Sequence, residues 1–307
     1  LENRRYSLYN PKFFFQLRKI IKEFDIVHVH LFPALYWVAL AKFFSSAPCK
    51  LVLTEHSTFN NRQSFRILKP IERFIYSKYD AIVAISEGVY KYFKSYLGDC
   101  YKWHVINNGI KVNDIQQSPI IDREKLNIPH CAKLIVQVAK FNLQKDQETL
   151  IKALAILPND FYVAFVGEGP LLAKHKELVQ NIHLSDRTIF LGLRNDIPSL
   201  LRTSDIVVMS SHFEGFGLAA VEGMAAGKPV VASDVEGLKD IVANAGILFT
   251  PKNEVELASC ILKLMNDKDY YNMIADKCKQ RSLCFNSDIM AESYVQPVSY
   301  THLRAHE

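Results

Sequence analysis

Short apolar runs rich in β-branched residues alternate along this chain with longer stretches whose apolar positions recur every three or four residues. Ten of the short runs read as strands: 25–30, 50–54, 80–85, 104–106, 134–139, 161–166, 188–191, 205–209, 229–232 and 246–249. Helical patterns lie between them, clearest over 11–23, 65–78, 86–96, 146–157 and 257–266. Ser86 is placed to cap the third of these, with Glu87 favourable in its first turn. Repeated strand–helix units predict parallel sheets covered by helices, an α/β class.

Turn residues cluster from Asn107 to Pro119, and Asp122 to Pro129 reads as a helix leading into a new first strand. A chain of 307 residues exceeds what one core usually serves. The pattern therefore predicts two domains, residues 1–112 and 113–296. The first reads as incomplete, because it opens on Leu1 without the strand and glycine loop that usually begin a nucleotide-binding half. After Tyr294 the helical pattern stops, and residues 297–307 read as a non-native tail.

Six scattered cysteines form no CxxC pair and no zinc spacing, which excludes a disulfide or zinc framework and points to reduced thiols in a cytoplasmic setting. The longest apolar stretch, Leu31 to Phe44, is broken by Pro33 and Lys42 and is too short to span a bilayer. The net charge of +5 is uneven. Residues 1–115 hold 17 basic against 9 acidic residues, and the remainder 20 against 23. The first half is thus expected to face something anionic, such as the inner surface of a plasma membrane. No nucleic-acid-binding motif accompanies that charge. Phe13, Phe14 and Phe15 sit among Lys12, Arg18 and Lys19; the favoured reading is a core-facing aromatic stripe rather than an interfacial patch.

The densest chemistry follows the strand at 205–209. Glu214 and Glu222 are separated by seven residues, with a Gly215-Phe-Gly217 turn leading into a small-residue helix that starts near Leu218. Strand, glycine loop and helix in an open α/β sheet place Glu214 in the crevice at the carboxyl end of a strand. The loop N–H groups and the helix N-terminus suit a phosphate. Glu222, one turn in, is placed to reach a hydroxyl beside it.

Three further groups point the same way. Lys140 and Lys145 occupy the loop after the strand at 134–139, where paired cations suit a diphosphate whose charge grows as it leaves. Val166-Gly-Glu-Gly-Pro170 is a tight turn between strand and helix, weak evidence on its own. His56 ends the strand at 50–54 and is followed by a polar run that includes Asn60 and Asn61. His28 and His30 share a strand face and read as packing or supporting groups, with no third ligand for a metal. Asp267-Lys-Asp269 is the one DxD match and reads as chance, so no metal site is expected.

These motifs together resemble the retaining glycosyltransferases of family 4, also called glycosyl transferases group 1. The resemblance rests on Glu214-x7-Glu222 with its glycine loop, Ala139-Lys-Phe-x-x-Gln-Lys145, Val166-Gly-Glu-Gly-Pro170, Phe190 to Pro198 and Ile106-Asn-Asn-Gly-Ile110, and covers most of residues 1–296. Asp25-Ile-Val-His-Val-His30 and Thr54-Glu-His56 look most like bacterial capsule, exopolysaccharide and lipopolysaccharide enzymes. The resemblance implies a GT-B fold, two Rossmann-like domains facing a cleft, the first incomplete. It implies metal-independent hexosyl transfer, with retention, from a UDP- or GDP-sugar to a glycan acceptor that is lipid-linked or otherwise, and no resident cofactor. Glu214 would contact the sugar and Glu222 the ribose. Amides of Phe216, Gly217 and Leu218 would cradle phosphate, with Gly167 in the same donor site. Lys145 would neutralise the diphosphate, the segment at Leu193 and Arg194 would hold the base, and His56 would meet the sugar from the first domain. Peripheral membrane contact through the basic first domain would fit such an acceptor.

Two positions depart from the family. Lys140 stands where Arg is usual, a point charge in place of a bidentate clamp. Gly223 stands where Ala is usual, a helix cost of about 1 kcal/mol. The competing readings are a nucleotide-sugar epimerase or hydrolase on the same fold, and an inactive donor-binding fragment. A nicotinamide dehydrogenase is disfavoured, because no GxGxxG follows the first strand of either half.

Overall fold

A computed structural model describes residues 10–57, 66–98 and 102–303 of the chain. The run Thr58 to Arg62, which contains Asn60 and Asn61, lies outside the described residues, as does Cys100. All ten expected strands are present, each within one residue of its expected ends. They are β1 Ile26–His30, β2 Lys50–Glu55, β3 Ala81–Ala84, β4 Trp103–Val105, β5 Lys133–Val138, β6 Phe161–Val166, β7 Thr188–Phe190, β8 Ile206–Met209, β9 Val230–Ser233 and β10 Ile247–Phe249. They form two parallel, Rossmann-like sheets, ordered β1-β2-β3-β4 and β10-β9-β8-β5-β6-β7. The chain divides accordingly into two compact units. One holds the residues up to Asn107 and those from Met290; the other is Asn108–Ile289.

In the first unit β1 pairs with β2 so that His28 stands opposite Val52 and His30 opposite Thr54. Leu51, Leu53, Ile82, Tyr76 and Phe93 are fully buried around this sheet. Each stabilises the unit by about 1.5–3 kcal/mol relative to an exposed side chain. The helix Glu87–Leu97 starts where its cap sits: the Ser86 hydroxyl accepts from the Val89 N–H at 3.2 Å.

Three local expectations are corrected, and one stretch with no expected element is assigned. The helix Lys12–Ile20 has no buried residue, so Phe13, Phe14 and Phe15 are not a core stripe. The apolar stretch after Leu31 forms a helix, Ala34–Phe43, that buries Leu35, Val38, Ala39 and Ala41. The stretch from Asp122 to Pro129 forms a single 3-10 turn, Arg123–Leu126. It ends because Asn127 takes the left-handed conformation and Pro129 follows. The last helix, Ser287–Leu303, continues past Tyr294, since extending a formed helix adds a hydrogen bond for each residue fixed.

The second unit is built around β5, which pairs with β6 on one side and β8 on the other. After β5 the chain fills one half of the sheet with β6 and β7, then returns past β5 to lay down β8, β9 and β10. The carboxyl ends of β5 and β8 are therefore a topological switch point, where loops diverge and leave a crevice. Strands β8 and β9 are buried at every residue, which is why they read as unbroken apolar runs.

The helix Leu218–Ala225 packs so closely on β8 that a Cβ on Gly223 would stand 2.9 Å from three side-chain atoms of Val207. The helix cost expected for Gly223 is thus outweighed by packing. Gly223→Ala is expected to lower stability by up to about 2 kcal/mol, because overpacking at about 1–3 kcal/mol offsets the propensity gain near 1 kcal/mol. Urea unfolding checks it, and a raised midpoint would refute the packing argument.

Candidate functional site

Two loops meet at the switch point. The loop after β5 carries Lys140 and Lys145, and the loop after β8 carries Glu214 and runs into the helix that bears Glu222. Hydrogen bonds stitch them together. His212 N–H donates to Gln144 O at 2.8 Å, and Gln144 Nε2 donates to Phe213 O at 2.9 Å. Ser210 Oγ donates to Asp146 O at 2.6 Å. Beneath them the buried Gln137 amide donates to Lys145 O and Ser210 Oγ, both at 3.1 Å. Asp146 turns the chain through a left-handed residue and caps the helix Gln147–Ile156, its carboxylate accepting from Thr149 Oγ1 at 2.6 Å.

Glu214 is buried, its side chain 7% exposed. A carboxylate so placed needs partners. Lys145 Nζ and Ser211 Oγ supply them, both donating to Glu214 Oε1, the latter at 2.8 Å. Lys145 thus spends one of its three N–H donors on Glu214 and keeps two. Lys140 is exposed, and among the described residues it has no ion-pair partner.

Gly217 is the left-handed N-cap of the helix Leu218–Ala225. The amide N–H groups of Phe216, Gly217 and Leu218 meet no protein acceptor among the described residues. Phe216 is anchored by its ring, buried edge-on against Phe285 at 5.5 Å, which holds its backbone in place. Glu222 lies one turn further on, half-buried and without a hydrogen-bonding or charged partner among the described residues. Burial alone pushes its carboxyl above the ordinary glutamate range.

Two neighbouring loops extend the site. Gly167 donates its N–H to Gly192 O at 2.8 Å, joining the Gly-Glu-Gly turn to the loop after β7. A Cβ on Gly167 would stand 2.2 Å from Ala139 O, so only glycine allows that approach to the loop after β5. In the loop after β7, Leu193 is exposed and Arg194 is held by Asp196, Nε to Oδ1 at 2.7 Å. Asp196 raises the Arg194 guanidinium and is itself lowered by it, so both stay charged.

His56 belongs to the first unit. Its Nε2 lies 2.9 Å from His30 Nδ1, the rings 5.2 Å apart. The rings of His28 and His30 lie 4.2 Å apart, tilted by 42°, and His28 Nε2 lies 2.7 Å from Thr54 Oγ1, which in turn meets Tyr294 OH at 3.1 Å. Burial and neighbouring imidazoles push His28 down to about 4; His56 is lowered by burial and then by His30, and His30 by burial. The cluster is neutral near pH 7.

The carboxylates of the DxD match are set elsewhere. Asp267 caps the helix Lys268–Leu283, accepting from Tyr270 N–H at 2.9 Å. Asp122, Glu124 and His130 bring three potential cation ligands within 4.8 Å of one another, all exposed. Among the described residues no helix is long and apolar enough to cross a membrane.

Residues 120–281 match the family model described as glycosyl transferases group 1, and residues 1–114 match glycosyltransferase family 4. An N-acetyl-alpha-D-glucosaminyl L-malate synthase of Bacillus anthracis is 25% identical over 273 residues, covering 84% of this chain and 70% of its own length. A UDP-Gal:alpha-D-GlcNAc-diphosphoundecaprenol alpha-1,3-galactosyltransferase of Escherichia coli is 26% identical over 285 residues, covering 86% and 73%. HepE of Anabaena, solved in complex with UDP, superposes with a TM-score of 0.84 at 26% identity over 94% of this chain and 82% of that one.

Proposed function

The chain belongs to the glycosyl transferases group 1, and from that premise we propose that it moves a hexosyl group, with retention and without a metal ion, from a nucleoside diphosphate sugar to a hydroxyl of a glycan acceptor. The observation that carries this reading is the conjunction at the switch point of two lysines with three amides and a half-buried Glu222 that have no protein partner among the described residues. The amides of Phe216, Gly217 and Leu218 and the positive end of their helix hold phosphate. Lys145 and Lys140 neutralise the diphosphate as it departs, which is the costly part of the step. Glu222 accepts from ribose hydroxyls and Glu214 from the transferred sugar. Gly167 and the Leu193–Arg194 segment line the nucleotide, and His56 acts on the sugar as a neutral imidazole. A UDP-sugar is favoured by analogy with the UDP complex of HepE. By analogy with the Escherichia coli relative, the acceptor is carried on a lipid diphosphate at a membrane surface.

A panel of UDP- and GDP-sugars, read by thermal unfolding, tests the donor. A ligand at a hundredfold its Kd adds about 2.7 kcal/mol. No stabilisation by any of them would refute the reading. Turnover of the donor without acceptor would favour a hydrolase or epimerase, and binding without release or transfer a binding remnant.

Glu222→Gln separates binding from stability. A carboxyl raised by burial is protonated more readily in the folded chain than in the unfolded one. Its contribution to stability therefore falls as pH rises through that range, and at neutral pH the buried charge destabilises the free protein. The glutamine variant should unfold at a higher temperature at pH 7 yet bind donor about tenfold or more weakly. In the unsubstituted protein donor binding should weaken on acidification at a higher pH than an ordinary glutamate would set. A variant that binds donor unchanged would remove Glu222 from the site.

A further inference from the structure

The first unit carries a ridge of exposed aromatic and aliphatic side chains that no sheet covers among the described residues. Ile67, Ile71 and Phe74 follow one another at spacings of four and three on the turn and helix Arg66–Leu68 and Lys69–Tyr76. Phe74 meets Phe43 at 5.3 Å, and Phe43 meets Phe44 at 4.9 Å, joining the end of the helix Ala34–Phe43 to the stripe. Phe44 continues to Phe14 at 6.0 Å on the helix Lys12–Ile20. Ile67, Ile71, Phe74, Phe43 and Phe44 expose 40–84% of their area. Contiguous apolar surface of this kind marks a contact with a partner or a membrane.

Cations frame the ridge. Lys78 Nζ sits 4.3 Å from the Phe74 centroid and 4.8 Å from that of Phe43. Arg18 lies over Phe14 at 5.7 Å and donates to Phe44 O at 2.8 Å. The three helices hold six basic residues and one carboxylate, Glu72, which is buried and accepts from Tyr36 OH. Of the six, Lys42 is paired with Asp80 at 3.0 Å. Lys78 and Arg18, which have no carboxylate partner among the described residues, border the aromatic rings, and that arrangement suits the headgroup boundary of an anionic bilayer. A second copy fits worse, because a two-fold contact would set this cationic rim against itself.

We propose that this ridge docks the protein on an anionic lipid surface, with Phe74, Phe43 and Ile71 entering the headgroup boundary and Lys78 and Arg18 pairing with lipid phosphates. The proposal deepens the membrane-surface acceptor reading above, but its test needs neither donor nor acceptor. The full chain is sedimented with vesicles of phosphatidylcholine alone or with about one third phosphatidylglycerol. Binding is expected only to the anionic vesicles, weakened about tenfold by 0.5 M salt. Ile71→Ser with Phe74→Ser should weaken it about tenfold or more, and Lys78→Glu about fivefold or more. Lys125→Glu, the same charge change on the second unit, should leave it unchanged. Equal binding to both vesicle types, or binding untouched by the ridge substitutions, would overturn the proposal. So would concentration-dependent self-association in light scattering that the ridge substitutions abolish, which would assign the face to a second copy. Nucleotide-sugar stabilisation measured on the same variants keeps the two readings apart, since it should survive every ridge substitution.

Discussion

Lys145→Met should cost about 3 kcal/mol of stability and at least about a hundredfold in turnover. Both losses come from one nitrogen. Lys145 Nζ is the cation beside Glu214, whose side chain is 7% exposed. Removing it leaves a buried carboxylate with a serine hydroxyl for company. The same nitrogen has further donors that we assign to the departing diphosphate. Glu214→Gln alone should chiefly lower turnover. The double variant Lys145→Met, Glu214→Gln separates the roles, because it replaces a buried ion pair by neutral groups. Its unfolding midpoint should recover most of the way, while turnover stays as low as in either single variant. If the two stability losses simply add, the pair does not hold the loop. If turnover recovers along with stability, Lys145 acts only through folding.

Gly237→Ala is expected to be nearly as damaging, although Gly237 carries no functional group. It sits at φ +85° in the loop after β9, and a Cβ there would stand 2.3 Å from Glu214 O and 2.9 Å from its carbonyl carbon. An alanine would meet the left-handed penalty of about 1–2 kcal/mol and an overlap with backbone worth about 1–3 kcal/mol. Since the displaced atoms are those of Glu214 itself, turnover should fall by an order of magnitude or more even where the protein remains folded. Denaturant unfolding and kcat measured on one preparation check both parts. Unchanged kcat at reduced stability would mean that the loop yields elsewhere and leaves Glu214 in place.

Much of this protein was legible as pattern. Strands such as Ile206–Met209 and Phe161–Val166 are buried over most of their length and therefore read as apolar runs flanked by turns. The helix following Gly217 was legible to its first residue, because a glycine that can turn left-handed precedes small helix formers. The aromatic triplet Phe13-Phe-Phe15 was misread for the opposite reason. Aromatic residues on a short helix look the same in sequence whether they face a core or solvent, and only the neighbours of the helix decide. Gly223 was misread likewise, as a matter of helix propensity, when its reason is Val207 on the adjacent strand.

By itself the sequence determined the α/β class, the ten strands, the family, and the charged residues that flank the glycine turn after β8. All of these are local or periodic properties, encoded in residues close together in the chain. The tertiary structure alone decided that Lys145 and Glu214, 69 residues apart, form one buried pair. It likewise decided that Glu222 has no partner among the described residues, that His30 meets His56, and that Gly237 leaves room for Glu214. These depend on parallel strands bringing distant loops to one sheet edge, and no spacing along the chain records which loops become neighbours.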